Sequence, residues 1–164
     1  MTNHENIAKI RELIKDIRVA MLTTVEPDGH LRSRPMATQT MEFDGDLWFF
    51  TYWHSGKTEE VQRDQRVNVS YASDDDNRYV SISGVAEVVR DRAKAEQLWS
   101  PALKAWFPKG LEDPELALLR VVAERAEYWD APSSTVVKMV GFTKAVLTGE
   151  RYDPGENRKL QLQR

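Results

Sequence analysis

Gly29–Lys57 reads GHLRSRPMATQTMEFDGDLWFFTYWHSGK, and its punctuation decides the fold. Leu31–Glu42 is extended in composition. Asp44-Gly45 is hairpin chemistry, because Gly takes the positive φ that such turns demand. Leu47–Tyr52 is almost wholly apolar and aromatic, the pattern of a strand buried on both faces. Ser55-Gly56-Lys57 then opens a short helix, Lys57–Asp64. Arg34 within the first strand, the Ser55 hydroxyl, Lys57 and the free amides of a helix start are what a phosphate ester needs.

Working outward, Val19–Val25 is a further strand, and Glu26-Pro27-Asp28-Gly29 is strong turn chemistry. The three strands predict an antiparallel meander, because their connections are too short for crossover helices. Upstream, Thr2 and Glu5 stand at capping-box spacing, and Ile7, Ile10, Leu13, Ile14 and Ile17 recur at helical intervals. That helix is expected to plug or pack on the sheet. Downstream, Val67–Ala72 and Tyr79–Val89 are strands around an acidic turn, Asp74-Asp75-Asp76-Asn77, with Gly84 marking a bulge or close approach. The three aspartates lack the alternate spacing, Gly and distal Glu of a calcium loop, so a solvated turn is expected. A helix follows over Asp91–Leu103, then an aromatic turn at Trp106-Phe107-Pro108. A short helix is expected over Glu115–Leu118, capped by Asp113 with Pro114 at its first position. The last strand is Leu119–Trp129, with Val121, Ala123, Arg125 and Glu127 on one face. Val136, Met139, Val140, Thr143, Val146 and Leu147 predict a helix ending at Gly149, with a continued strand from Thr135 as the alternative. The tail from Glu150 is polar, and its last residues, NRKLQLQR at 157–164, are expected to be loose.

Six antiparallel strands with marginal helices predict a mainly β (α+β) fold, a small antiparallel barrel in one domain spanning residues 1–164. The length of 164 residues and ordinary composition fit a globular chain. The net charge of −3 gives no general attraction to nucleic acid or to an anionic membrane. No cysteine is present, which excludes disulfides, thiolate metal sites and a cysteine nucleophile. That fits a cytoplasmic setting, and nothing at the N-terminus has signal-peptide character. His4, His30 and His54 do not form metal-ligand spacing, so no metal is expected.

Four ordered segments carry a resemblance: Arg34-Pro35-Met36-Ala37-Thr38-Gln39, Trp48-Phe49-Phe50-Thr51, Ser55-Gly56-Lys57 and Ala126-Glu127-Tyr128-Trp129. Together they resemble the pyridoxamine 5′-phosphate oxidase-like FMN-binding split barrels. Trp106-Phe107-Pro108 and Glu127-Tyr128-Trp129-Asp130 point to the bacterial general stress protein branch. The resemblance spans about Ile7 to Gly149, and its specificity lies in the order of the motifs. It implies a six-stranded split barrel that binds FMN. Arg34 and Lys57 would meet the phosphate, with Ser55 and Gly56 in the supporting loop. Pro35, Met36 and Ala37 would pass the isoalloxazine ring. Gln39 stands where the oxidase motif has a lysine. Phe50 and Thr51 would line the cofactor. Trp129 would reach the cofactor held mainly by the other subunit, which makes a homodimer part of the expectation. The Arg-x-His motif with which true vitamin B6 oxidases grip substrate is absent; Ser133-Ser134-Thr135-Val136-Val137 stands there instead.

Each of these residues has a plainer reading. Arg34 fits an ordinary strand surface, Phe49 and Phe50 fit a core, and Trp129 fits a core or an interface. Lys57 is the exception, because a cation in a first helical turn opposes the helix dipole. A low-specificity flavin oxidoreductase is the leading expectation. A flavin carrier or sensor without turnover, a deazaflavin (F420) reductase on the same barrel and a ligand-free structural barrel are the alternatives.

Overall fold

The computed structural model describes residues 2–39, 43–132, 134–153 and 155–162. Helix α1 (Asn3–Ile14) is followed by strands β1 (Val19–Val25), β2 (Leu31–Ala37) and β3 (Asp46–Tyr52), then helix α2 (Gly56–Arg63). Strands β4 (Arg66–Ser73) and β5 (Arg78–Val89) lead to helix α3 (Arg92–Leu98). Strand β6 (Leu116–Asp130), helix α4 (Thr135–Thr148) and strand β7 (Glu156–Gln161) complete the order. The strands form one curled antiparallel sheet in the order β2-β1-β4-β5-β6-β3, with β7 also on β6. This is the expected split-barrel class, with seven strands rather than six.

The hydrophobic pattern places α1 inside the curl. Ile10, Leu13 and Ile14 pack with Leu22, Val69, Ile82, Leu119 and Val121 in one core. The predicted capping box is present, with Thr2 Oγ1 accepting from Glu5 N and Glu5 Oε2 accepting from Thr2 N. Strand β3 is buried on both faces, as its composition demands. Phe49 points into the barrel core, whereas Phe50 joins Ala95, Leu98, Leu103 and Leu118 in a second cluster. Full burial of each such side chain is worth about 1.5–3 kcal/mol.

Several expectations change. The first three strands are not a meander: β1 pairs with β2, but β3 pairs with β6. Gly45 does take φ +116°, yet it turns the chain toward β6. Strand β2 stops at Ala37, because its partner β1 begins at Val19 directly opposite; the expected extension over Thr40, Met41 and Glu42 lies outside the described residues. The helix from Asp91 ends at Leu98, and Pro101–Ala105 is a separate 3₁₀ turn. Proline lacks the amide and disfavours helix in the residue before it, so the chain breaks at Ser100-Pro101. No helix forms over Glu115–Leu118. Leu116, Ala117 and Leu118 start β6 opposite Tyr52, Thr51 and Phe50, and burial in the sheet overrides the local signal. Asp113 closes a turn instead, accepting from Glu115 N at 2.9 Å.

Gly84 is the bulge point. Opposite it the register slips, so Gly84 faces Ala123 and Ser83 faces Arg125. A Cβ on Gly84 would lie 2.0 Å from the Val122 carbonyl oxygen. The extra residue, Glu124, reverses the inward set of β6. Val121 and Ala123 are buried before it, Ala126 and Tyr128 after it, so the expected face of Val121, Ala123, Arg125 and Glu127 does not exist. Nor are residues 157–162 of the tail loose. Strand β7 pairs with Arg125–Asp130, Leu160 and Leu162 enter the core, and Tyr128 Oη donates to Glu156 Oε1 at 2.7 Å. Helix α4 ends where expected, at Gly149 with φ +70°. No helix among the described residues is long and apolar enough to cross a membrane.

Candidate functional site

Strands β2 and β3 are the two ends of the sheet order. They face each other across a seam with no ladder among the described residues, and the seam holds a cavity of about 160 Å³. Its walls are Pro35, Met36, Ala37 and Gln39 from the β2 side, Phe50 from β3, Lys57 from α2, and Leu103, Trp106 and Phe107. Six residues singled out in the sequence therefore meet in one place. Pro35 is tolerated there because an edge strand has no ladder bond for it to remove.

Lys57 stands in the first turn of α2. Its ammonium makes no hydrogen bond or ion pair among the described residues. Its pKa lies below the ordinary lysine value, first because burial penalises the charge, then because Arg34 and Arg32 repel it; Glu60 partly opposes this. Ser55 caps the same helix, accepting from Thr58 N at 3.3 Å, and its hydroxyl lies 2.8 Å from that of Thr58. Thr51 is buried with its hydroxyl 3.5 Å from Ser55 Oγ. A side chain at Gly56 would meet nothing within 4 Å, so this position does not need glycine for space.

Arg34 is not the exposed strand residue of the plainer reading. Its side chain is 14% exposed. It donates to Thr24 Oγ1 at 2.6 Å and to Glu60 Oε2 at 2.7 Å. Thr24 in turn donates to the same Glu60 oxygen at 2.5 Å. Arg32 stands 3.9 Å from both Glu60 and Glu26. The guanidinium of Arg34 has five N–H donors, so these bonds leave it capacity for a ligand while fixing its position. The result is three cations around one buried carboxylate, next to a cavity whose lining contains no acid.

Glu60, Thr24 and Arg32 were not singled out in the sequence. The signal was there in part: Arg32 is two residues before Arg34, hence on the same strand face, and Glu60 is three after Lys57, hence on the same helix face. Thr24 belongs with them only through the β1–β2 register, which sets it opposite Arg32. The Trp106-Phe107 turn was read as a motif but not as a wall. Phe107 packs on Phe50 and Tyr52, and Tyr52 Oη donates to the Trp106 carbonyl at 3.1 Å. The structure thus holds the exposed Trp106 indole at the cavity rim.

Trp129 does not join this group within one chain. It pairs with Tyr79 and Asn157 at the far end of β6, whereas Leu116 at the near end pairs with Tyr52. It is 39% exposed and borders a separate groove of about 440 Å³ with Asp130, Arg151, Tyr152 and Glu156. Of the segment without the Arg-x-His motif, Ser133 lies outside the described residues, and Ser134 caps α4. Among the described residues no cluster of three His, Asp or Glu stands ready for a metal.

Comparison with known proteins gives the chain a family and fold relatives. Residues 5–153 match the family described as "Pyridoxamine 5'-phosphate oxidase like". The curated protein bli-3 of Neurospora crassa is 30% identical, over 97% of this chain and 81% of that protein. A solved structure from Jannaschia sp. CCS1 superimposes with a TM-score of 0.77 at 25% identity, covering 96% of this chain and 98% of that one. The general stress FMN/FAD binding protein of Xanthomonas citri gives 0.65 at 32% identity, over 77% and 89%.

Proposed function

The chain belongs to the pyridoxamine 5′-phosphate oxidase-like family, in its general-stress branch, and on that premise we propose that it is an FMN-binding flavoprotein acting as a low-specificity oxidoreductase. The observation that carries the proposal is Lys57, a half-buried ammonium with no ion-pair partner among the described residues, lining a cavity whose wall carries no carboxylate. Such a cation waits for an anion. A phosphate monoester, with about two negative charges at neutral pH, complements it.

The residues divide the work. Lys57 supplies a point charge, and Arg34 a planar grip. Glu60 and Thr24 hold Arg34 in place, so that little side-chain entropy is lost when a ligand arrives. The Ser55 hydroxyl and the first amides of α2 add neutral donors. Pro35, Met36, Ala37, Gln39 and Phe50 offer a mostly apolar wall to a flat ring. A bound flavin would supply the electron transfer, and the protein its orientation and surroundings. No side chain here is assigned as a general acid or base.

A cavity of about 160 Å³ is below the roughly 300 Å³ at which ligand pockets of drug size begin. One chain therefore offers part of a site. A homodimer, with Trp129 reaching across from the second copy, is part of the proposal. The lack of the Arg-x-His motif after Trp129 argues against vitamin B6 oxidase activity.

The test is titration of FMN, FAD and F420 into purified protein, read by absorbance and flavin fluorescence. Tight FMN binding that Lys57→Ala abolishes is expected. Preference for F420, or no flavin binding at all, would overturn the proposal. Turnover is tested separately: NADH or NADPH consumption stimulated by the loaded protein supports an oxidoreductase, and its absence would reduce the role to a carrier.

A further inference from the structure

A second cavity, of about 240 Å³, lies between the end of helix α1 and the start of strand β3. Its inner wall is apolar: Ile14 from α1, then Phe43, Leu47 and Phe49, closed by the ring of Tyr71 from β4. Its mouth lies at Glu12 and Lys15, whose side chains are at least half exposed. Gln39 lines both this cavity and the one that Lys57 lines, so the two are neighbours.

Tyr71 carries a group that the fold does not use. The residue is 4% exposed, and its hydroxyl makes no hydrogen bond among the described residues. A buried tyrosine normally gives its O–H a partner, and a phenylalanine would fill the core without leaving a polar group unpaired. Burial raises the pKa of the phenol, so the group stays protonated and is a donor at neutral pH. The charges at the wall are engaged instead. Lys15 bonds Glu12, Arg120 bonds Asp46, and Arg11 Nε donates to the Phe43 carbonyl, each at 2.8 Å. The Gln39 amide makes only a long bond, to the Ala37 carbonyl at 3.4 Å. The cavity therefore offers neutral donors within apolar walls, which suits an uncharged ligand with acceptor oxygens.

We propose that this cavity binds a small neutral aromatic carbonyl compound of the para-quinone class, with Tyr71 Oη donating to one carbonyl and the Gln39 amide to the other. An apolar cavity of about 150 Å³ takes one benzene ring, so a cavity of about 240 Å³ suits a fused pair. The apolar walls cover the ring faces, and the two polar side chains fix the orientation. Binding here involves no phosphate and no flavin, so it stands or falls apart from the reading of Lys57.

The experiment is a heteronuclear NMR titration of the full chain, wild type and Tyr71→Phe, with 1,4-naphthoquinone and with naphthalene, which lacks the carbonyls. The chain has no cysteine for the quinone to alkylate. The expected result is that the quinone shifts the amides of Leu47, Phe49 and Tyr71, and that Tyr71→Phe weakens its binding about tenfold or more while naphthalene affinity changes by less than about twofold. Thermal melting of ligand-free Tyr71→Phe should match or exceed wild type, because the lost hydroxyl had no partner. A lower melting temperature would show that the hydroxyl is bonded within the fold and would overturn the proposal. So would a quinone that shifts nothing, one that binds both proteins equally, or shifts confined to Pro35, Met36 and Lys57. Quinone binding that depends on Tyr71 in a chain that binds no FMN would keep this site and sink the flavin reading instead.

Discussion

The two halves of β6 share one strand and serve opposite ends. Leu116–Val122 runs between β3 and β5, with the barrel core on one face and the Phe50–Leu98–Leu118 cluster on the other. Arg125–Asp130 runs between β5 and β7, with core on one face only and Trp129 exposed on the other. The first half is finished within the chain and braces the seam where Lys57 waits. The second half leads through residues 131–134 to α4, whose Met139, Val140, Phe142, Val146 and Leu147 are more than half exposed. The first surface is closed by its own chain and supports the candidate site; the second is left open among the described residues.

The largest effect separating the halves is expected at Leu119, which is fully buried. Leu119→Ala removes core volume and should cost about 2–5 kcal/mol in denaturant unfolding. A loss below 1 kcal/mol would mean that the first half is not the rigid one. The join between the halves comes next. Gly84→Ala forces a methyl against the Val122 carbonyl, and overpacking of this kind costs about 1–3 kcal/mol. An unchanged melting temperature would remove the bulge as the reason for the switch in facing.

Lys57 sharpens the comparison through pH. Its folded pKa lies below the ordinary 10.5 because of burial and then Arg34 and Arg32. The unfolded chain therefore binds more protons in the window between those values, so stability of the ligand-free protein rises as pH climbs through it. Lys57→Met should flatten that rise, and thermal unfolding from pH 7 to 10.5 measures it. Anion affinity should weaken over the same window, since only the protonated lysine attracts. The smallest effect is predicted on α4. Val140 is 63% exposed, so Val140→Thr should change stability by no more than about 0.5 kcal/mol. A larger loss would show that Val140 is packed.

The elements that line the seam were largely legible in the sequence, whereas the start of β6 at Leu116–Leu118 was read as helix. The apolar run Leu47–Tyr52 announced a strand covered on both faces, and the Ser55-Gly56-Lys57 start announced a cation against a helix dipole. Gly84 was legible as a bulge, but its effect on β6 was not, because a register slip in one strand is set by its partner. The same limit hid the β3–β6 pairing: Asp44-Gly45 signals a turn but not which strand receives the chain. Strand β7 was missed because Glu156–Gln161 is polar outside Leu160. The alternation of Leu160 and Leu162 was its one signal, and their burial depends on an edge that β3 leaves free. Glu60 was missed because helical spacing places it beside Lys57, while only the fold brings Arg34 and Thr24 to it.

The central claim is that the seam between β2 and β3 reads a phosphate. Calorimetric titration of FMN and of riboflavin, which lacks the phosphate, into wild type and Lys57→Ala tests it most directly. The account predicts that wild type binds FMN at least about 100-fold more tightly than riboflavin, a difference of roughly 2.8 kcal/mol, and that Lys57→Ala removes most of that ratio. Equal affinity for the two ligands in wild type, or a ratio unchanged by Lys57→Ala, would contradict it.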